Sequence, residues 1–386
     1  MDAVNLFDLV VEDADLHPLF RRVVQEENYK AAMAVINEWS LGLLDRRSEA
    51  AKFIKEFQTT FNSSLWEIYL NKAFREFGFE IDYAKSAPDF NLKHHSGKFV
   101  SVEAVTTNNR LNRDEDYYSF ESFNDQINDS NHLDRSTIKL IGKLKDKRDL
   151  FTGTGGKKYP YSSLEHVKGN PFVVAIAPFD NHLSYAQNNM AINRVLYGID
   201  PPVADSDGVM IAPKIGFIEN HNNQKIELGI FTNESYKEIS AVIFSTTGMF
   251  GKAVSEAGVS NLVRATRYRK MDILEFMNKE GAAMLGYTHR RISERYDIYS
   301  LRLVDGGLVC GSDTFFYDSK FHRETHLDGL HIYYNPYAEV PLDKNLFSAY
   351  EVTQNSYNIE TGSMICQHND GSLVSRQTFT SLSSYV

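Results

Sequence analysis

Cysteine is almost missing from this chain: two residues in 386, Cys310 and Cys366. Two thiols cannot build a disulfide framework or a four-thiolate zinc site, and their scarcity fits a reducing cytoplasm. Long apolar runs are missing as well. No stretch approaches the ~20 residues needed to span a bilayer, so no membrane partner is expected. The opening "MDAVNLFDLVVEDADLH" is acidic where a signal peptide is basic and then apolar. Positive charge is also in deficit, with 41 Lys+Arg against 51 Asp+Glu and a net charge of −10. That balance argues weakly against nonspecific coating of nucleic acid and leaves open local binding by a basic stripe beside clustered carboxylates.

Other absences narrow the chemistry. "GTGG" at 153–156 lacks the GK[ST] ending of a phosphate loop and reads as a flexible loop. "HRETH" at 322–326 is not HExxH, so His322, His326 and His331 do not read as a zinc site. No Ser/His/Asp or Cys/His arrangement has useful spacing. No internal repeat, low-complexity tract or linker divides the chain.

What is there is a well-patterned run of helices and strands. "PLFRRVVQEENYKAAMAVINEW" and "SEAAKFIKEFQTTF" have apolar residues at helical spacing, the second opening on Ser48 as N-cap. In "SSLWEIYLNKAFREFGFEIDYA", Trp66, Tyr69, Leu70, Ala73, Phe74 and Phe77 share a helical face that Gly78 is placed to end. Short alternating strands follow at "FEIDYA", about 88–95 and 98–106, the last two joined by the turn signal Ser96-Gly97. Residues 109–134 are polar and read as a surface excursion. "DRSTIKLIGKLKDKRDL" is a helix with Asp134 as N-cap, and "PFVVAIAP" (171–178) is a strand buried on both faces. Helix–strand–strand–strand–helix–strand from 63 to 178 describes an α/β fold, a mixed sheet flanked by helices. The expected organisation is an N-terminal helical segment (1–60), a core (61–180) and a C-terminal α+β elaboration packed on it (181–386).

"SAPDFNLKHHSGKFVSVEAVTTN" (86–108) carries the strongest chemical signal. Asp89 and Glu103 fall on adjacent strands, which lie ~4.8 Å apart, so their carboxylates can meet at one place. The pleat puts 89, 91 and 93 on one face and 101, 103 and 105 on one face. An unpaired Glu103 inside apolar "FVSVEAV" would be costly to bury, which favours a metal-ligating role. Asp89 alone could be a turn residue after Pro88. Glu67 has two readings: the third residue of a Ser64-Leu-Trp-Glu67 capping box, or an acid projecting toward the metal.

For a metal held by such acids to cleave a phosphodiester, a Lys or Arg nearby helps orient the attacking water and offsets developing charge. Lys98 has the wrong parity for Glu103, and Lys93 has the right parity with Asp89. Arg135, Lys139, Lys143 and Lys147 recur every four residues beside apolar Ile138, Ile141 and Leu144, forming a basic helical stripe. Lys139 is the first choice for a catalytic lysine and Lys143 the second. Lys147 reads as a solvated position, and the rest could track phosphates. His94-His95 reads as a polar hairpin tip rather than a metal or phosphate contact. In "RATRYRK", Arg264, Arg267, Arg269 and Lys270 surround Tyr268, either as a nucleic-acid patch or as an exposed turn.

Taken together, Glu67 in a leading helix, "PDF" at 88–90, "VEAVTTN" at 102–108, a basic helix and an apolar strand resemble the PD-(D/E)XK nuclease superfamily. More narrowly, "EFQTTFNSSLWEIYL", "HVKGNPFVVAIA", "ISAVIFS" and "GLHIYYNPYAEVPL" resemble a poorly characterised group of bacterial proteins carrying that core, over about residues 40–345. The resemblance implies a restriction-endonuclease-like core and a Mg²⁺- or Mn²⁺-dependent endonuclease, with a role in restriction or anti-phage defence. Asp89 and Glu103 would be metal ligands and Glu67 an accessory acid. DNA is expected over RNA, and a homo-oligomer or a controlling partner protein is open. Val105 stands where the motif has its lysine. The alternative is a catalytically silent nucleic-acid-binding or regulatory module that kept the fold.

Overall fold

A computed structural model of the chain describes residues 5–45, 50–107, 132–157, 159–179, 187–201, 203–204, 206, 210–259, 262–269, 290–293, 296–298, 311–318, 324–369 and 371–379. Within them the protein is a mixed α/β structure with seven α-helices and a mixed sheet of eight strands. The strands of the sheet lie side by side in chain order: β1 (Phe79–Ile81), β2 (Phe90–His94), β3 (Phe99–Thr106), β4 (Phe172–Ala177), β5 (Ala241–Ser245), β6 (Leu330–Tyr334), β7 (Thr353–Asn358) and β8 (Ser363–Gln367). β3, β4 and β5 are mutually parallel, β6 and β7 are parallel to each other, and the other neighbours are antiparallel. Four of the eight strands come from the C-terminal half, which therefore extends the same sheet.

The helices are α1 (Pro18–Gln25), α2 (Lys30–Trp39), α3 (Ala50–Thr59), α4 (Phe61–Glu76), α5 (His132–Thr152), α6 (Met190–Tyr197) and α7 (Phe250–Ala257). They cover both faces of the sheet, which is why β4 reads as an uninterrupted apolar run. Its Val173, Ala175 and Ala177 pack with Trp39, Trp66 and Phe74 from the first layer. Phe172, Val174 and Ile176 pack with Leu140, Leu144 and Val195 from α5 and α6 on the other. Each Val, Leu, Ile or Phe among them, fully buried, contributes about 1.5–3 kcal/mol.

Local signals and observed boundaries differ in instructive places. α4 begins at Phe61 after Thr60, three residues before Ser64, which lies buried inside the helix. The capping-box reading of Ser64 and Glu67 therefore fails. Gly78 does end this helix, at φ +81°, a conformation few side chains tolerate. α5 starts two residues ahead of Asp134, whose carboxylate accepts from Arg194 Nη1 at 2.6 Å instead of capping the helix. Ser48, the 109–131 excursion and "KMDILEFMNKEGAAML" lie outside the described residues.

A second sheet is wholly antiparallel, in the order Arg290–Ser293, Tyr296–Ile298, Gly311–Asp318, Leu262–Arg269, Leu373–Phe379. A buried ionic cluster joins two of its strands to α7 and to the segment before β6. Glu324 forms ion pairs with Lys252 Nζ and Arg376 Nε, both at 2.8 Å, and its Oε2 accepts from Arg376 Nε at 3.1 Å, while Arg267 Nη1 reaches Asp328 at 2.7 Å. Burial alone would raise the Glu324 carboxyl. Arg376, Lys252 and Arg267 outweigh it and hold that group at about 2.

Candidate metal centre

β2 and β3 pair with Phe90 opposite Val102 and Asn91 opposite Ser101. Continuing that register one step places Asp89 opposite Glu103. The pleat then sorts the two faces. Val100, Val102 and Ala104 join the core beneath α4, while Val105 packs beneath α5, so Glu103 faces the α5 side.

The two acids are tied together by the backbone. Ala104 N–H donates to Asp89 Oδ2 at 2.8 Å, and Asp89 N–H donates to Glu103 Oε2 at 3.3 Å. Glu103 is 4% exposed. Its other oxygen, Oε1, accepts from Lys147 Nζ at 2.7 Å and from the Tyr161 hydroxyl at 3.5 Å. The lysine that reaches the acids is thus Lys147, not Lys139. Eight residues separate them, about 12 Å along the helix axis. Because β3 and β4 are parallel, α5 must run back against them, which brings its C-terminal end over Glu103. The position read as solvated is the one that points inward, its side chain 19% exposed.

The electrostatics have two causes, burial and a surplus of negative charge. Burial, then Asp89, push the Glu103 carboxyl up to about 7 against the pull of Lys147. Burial works to lower the Lys147 ammonium, but Glu103, Asp89 and Glu67 together outweigh it and raise it. Glu67 therefore contributes to the same field from α4. Tyr161 is raised by burial, then by Glu103 and Asp89. Tyr161 was missed in the sequence because it lies in the loop before β4, where no periodicity marks it.

Other predicted residues are placed elsewhere. Lys98 pairs with Asp343. His94 and His95 sit at the hairpin tip, about 16 Å along β2 from Asp89, with His94 Nδ1 bonded to Ser96 Oγ at 2.8 Å. His326 bonds Glu256 and the Tyr69 carbonyl, both at 2.9 Å, and His322 lies outside the described residues. On α5, Arg135 is exposed and Lys139 and Lys143 are half-buried. "RATRYR" is strand rather than turn. Arg267 is buried in its pair with Asp328, and Tyr268 stacks on His368 at 4.1 Å. These two are core contacts rather than an exposed patch. The side chains of Arg264 and Arg269, and the whole of Lys270, lie outside the described residues.

The donor set suits a hard divalent cation. It offers two carboxylates held side by side in a field short of positive charge, and Mg²⁺ is commonly bound by one or two carboxylates plus waters and phosphate oxygens. Two residues from Asp89 on the same face, Asn91 Oδ1 is buried without a hydrogen-bond partner, as expected beside a site that takes water or ligand. Among the described residues no group of three or more His, Cys, Asp or Glu is placed to hold a metal, so the ligands under consideration are this pair. A cleft of about 400 Å³ opens two residues along from each acid, lined by Asn91, Lys93, Ser101 and His166 and by the acids Glu80 and Glu165, and by neither Asp89 nor Glu103. Among the described residues no helix is long and apolar enough to cross a membrane. No family model, curated protein or solved structure matches the chain.

Proposed function

We propose that the protein is a metal-dependent endonuclease built on a restriction-endonuclease-like core, acting on DNA in bacterial restriction or anti-phage defence. The observation that carries this reading is the triad Asp89–Glu103–Lys147: Glu103 on β3, Asp89 one residue ahead of β2 with its N–H donating to Glu103, and a lysine 2.7 Å from Glu103. It is the acid–acid–base set of the PD-(D/E)XK site, with its lysine supplied from α5 and Val105 left to pack beneath that helix.

Asp89 and Glu103 would hold Mg²⁺ or Mn²⁺, with Glu67 an accessory acid. When bound, the cation supplies an acidified attacking water and draws charge from the phosphate. Lys147 then orients that water and offsets charge developing on the phosphoryl oxygens. Tyr161 fixes the Glu103 carboxylate from the loop side. Arg135, Lys139 and Lys143 continue the line of positive charge along α5, spaced to follow a phosphate backbone. Arg267 has no part in this, being committed to Asp328.

The test incubates the purified chain with plasmid DNA and with single-stranded RNA, in Mg²⁺, Mn²⁺ or EDTA, beside Asp89→Ala and Glu103→Ala. Metal-dependent cleavage of DNA that both substitutions abolish is the expected result. Cleavage persisting in both variants removes the site. Absence of cleavage of either substrate with every metal favours the catalytically silent module, and preferential cleavage of RNA overturns the substrate.

A further inference from the structure

In the structure, Lys147 already sits where the metal reading needs a cation. The hydrogen bonds on the pair include Asp89 Oδ2 from Ala104 N–H, Glu103 Oε2 from Asp89 N–H, and Glu103 Oε1 from both Lys147 and Tyr161. Two of these donors are backbone amides fixed by strand pairing. The donors on Oε1 are of another kind, being side chains, and one is an ammonium on a flexible four-carbon stem. A divalent ion binds a carboxylate oxygen at about 2.1 Å. With the ammonium 2.7 Å from that same oxygen, the two like charges would stand closer than their repulsion allows in a buried site.

We propose that Lys147 holds the place of the cation on Glu103 Oε1, so that the metal loads only as Lys147 leaves, and that a substrate phosphate is the group that receives it. This rests on the nuclease reading and adds a restraint to it. Without nucleic acid, the ammonium that leaves Glu103 must give up a buried ion pair for water. With a phosphodiester in the site, it exchanges one anion for another. Cation and nucleic acid therefore bind with positive cooperativity, and by linkage each strengthens the other equally. An enzyme so arranged keeps its site closed until substrate arrives.

The experiment measures Mn²⁺ affinity of the full chain by paramagnetic resonance, alone and with a cleavage-resistant phosphorothioate DNA duplex. Wild type is compared with Lys147→Met and Lys147→Arg. Removing the competing charge in Lys147→Met is expected to tighten Mn²⁺ binding roughly tenfold or more, the worth of a hydrogen bond to a charged group. Lys147→Arg keeps a cation on the oxygen and should stay within about threefold of wild type. The duplex should tighten Mn²⁺ binding by wild type and do so far less in Lys147→Met.

Lys147→Met binding no tighter than wild type overturns the proposal, as does a Lys147→Arg chain as tight as Lys147→Met. If Lys147→Met does not fold, the wild-type arm decides: no effect of the duplex on Mn²⁺ affinity overturns it. The readout is separate from cleavage. A chain that cleaves DNA but shows no gain on losing Lys147 keeps the nuclease reading and loses this one. A chain that shows the gain and cleaves nothing does the reverse.

Discussion

Exchanging Lys147 for Ala should damage a different step from exchanging Lys139 or Lys143, although all three share one helical stripe. The Lys147 ammonium is 2.7 Å from Glu103 Oε1, on a side chain 19% exposed. On the nuclease reading it moves from there to a phosphate held by the cation that Asp89 and Glu103 would bind, where charge would develop. Removing a single pre-organised donor of that kind costs about 10²–10³ in rate, or 2.7–4 kcal/mol of transition-state stabilisation. Lys139 lies about 12 Å back along the axis, beyond reach of a group bonded to Glu103. On the nuclease reading its contribution would be to binding, and that contribution would weaken as salt rises. The assay is single-turnover DNA cleavage across a range of enzyme concentrations, at low and high salt. Lys147→Ala should lower the rate at saturation by about a hundredfold or more, with little change in salt dependence. Lys139→Ala and Lys143→Ala should reach near-normal rates at saturation while needing more protein, and should show a shallower salt dependence. Equal loss at saturation in Lys139→Ala and Lys147→Ala would refute the assignment, as would a Lys147→Ala rate within about threefold of wild type.

Two further predictions concern the fold that holds the site. Glu324 is fully buried between Lys252 and Arg376, so Glu324→Leu strands two cations and should cost about 3–5 kcal/mol in urea unfolding. Replacing all three together, Lys252→Met with Glu324→Leu and Arg376→Met, should cost much less, and a triple variant less stable than the single one would contradict this. His331 is 1% exposed, and burial lowers its ring to about 4. Between about 6.5 and 4 the unfolded chain binds a proton that the folded chain refuses. This contribution to stability is therefore present above 6.5 and lost as the pH falls to 4, by about 3 kcal/mol at about 1.4 kcal/mol per unit. Denaturant midpoints of wild type and His331→Phe should diverge over that window, and parallel pH profiles would show that His331 titrates normally.

The parts of the site legible in the sequence are those that two-residue periodicity governs. The alternation in 88–95 and 98–106 predicts the paired strands; Glu103 lies on β3, and Asp89 lies one residue ahead of β2, opposite Glu103 when the observed register is continued one step. Where chemistry depends on how one element lies over another, sequence spacing misleads. Lys139 looked nearer because it comes earlier in the helix. A helix returning antiparallel to its strand brings its last turns, not its first, over the strand's buried acid. Glu67 shows a second kind of failure, in which Ser64-x-x-Glu67 has the composition of a cap but the helix begins at Phe61. "RATRYRK" shows a third. Val263, Ala265 and Arg267 alternate inward on a strand, so one of its charges belongs to a buried ion pair rather than to a patch.

The place of the lysine beside Glu103 follows from what the α5 face of β3 requires. Glu103 and Val105 point to the same side, and α5 closes over both. A buried carboxylate beside a second one needs positive charge within bonding distance, and the chain can supply it in two ways. A lysine two residues along the strand would have to snorkel out from beneath α5, displacing the apolar contact that Val105 makes. A lysine on the covering helix reaches the same oxygen from above and leaves that packing intact. Position 105 is therefore free to be apolar only because position 147 is basic, and the two should be exchangeable as a pair. Val105→Lys in a Lys147→Met background is expected to recover part of the cleavage rate lost with Lys147, whereas Val105→Lys alone should destabilise the fold by crowding a second ammonium under the helix. Cleavage assays and thermal unfolding of the three variants decide the matter. No recovery in a double variant that still folds would mean that the approach from α5, and not the charge alone, is what the site needs.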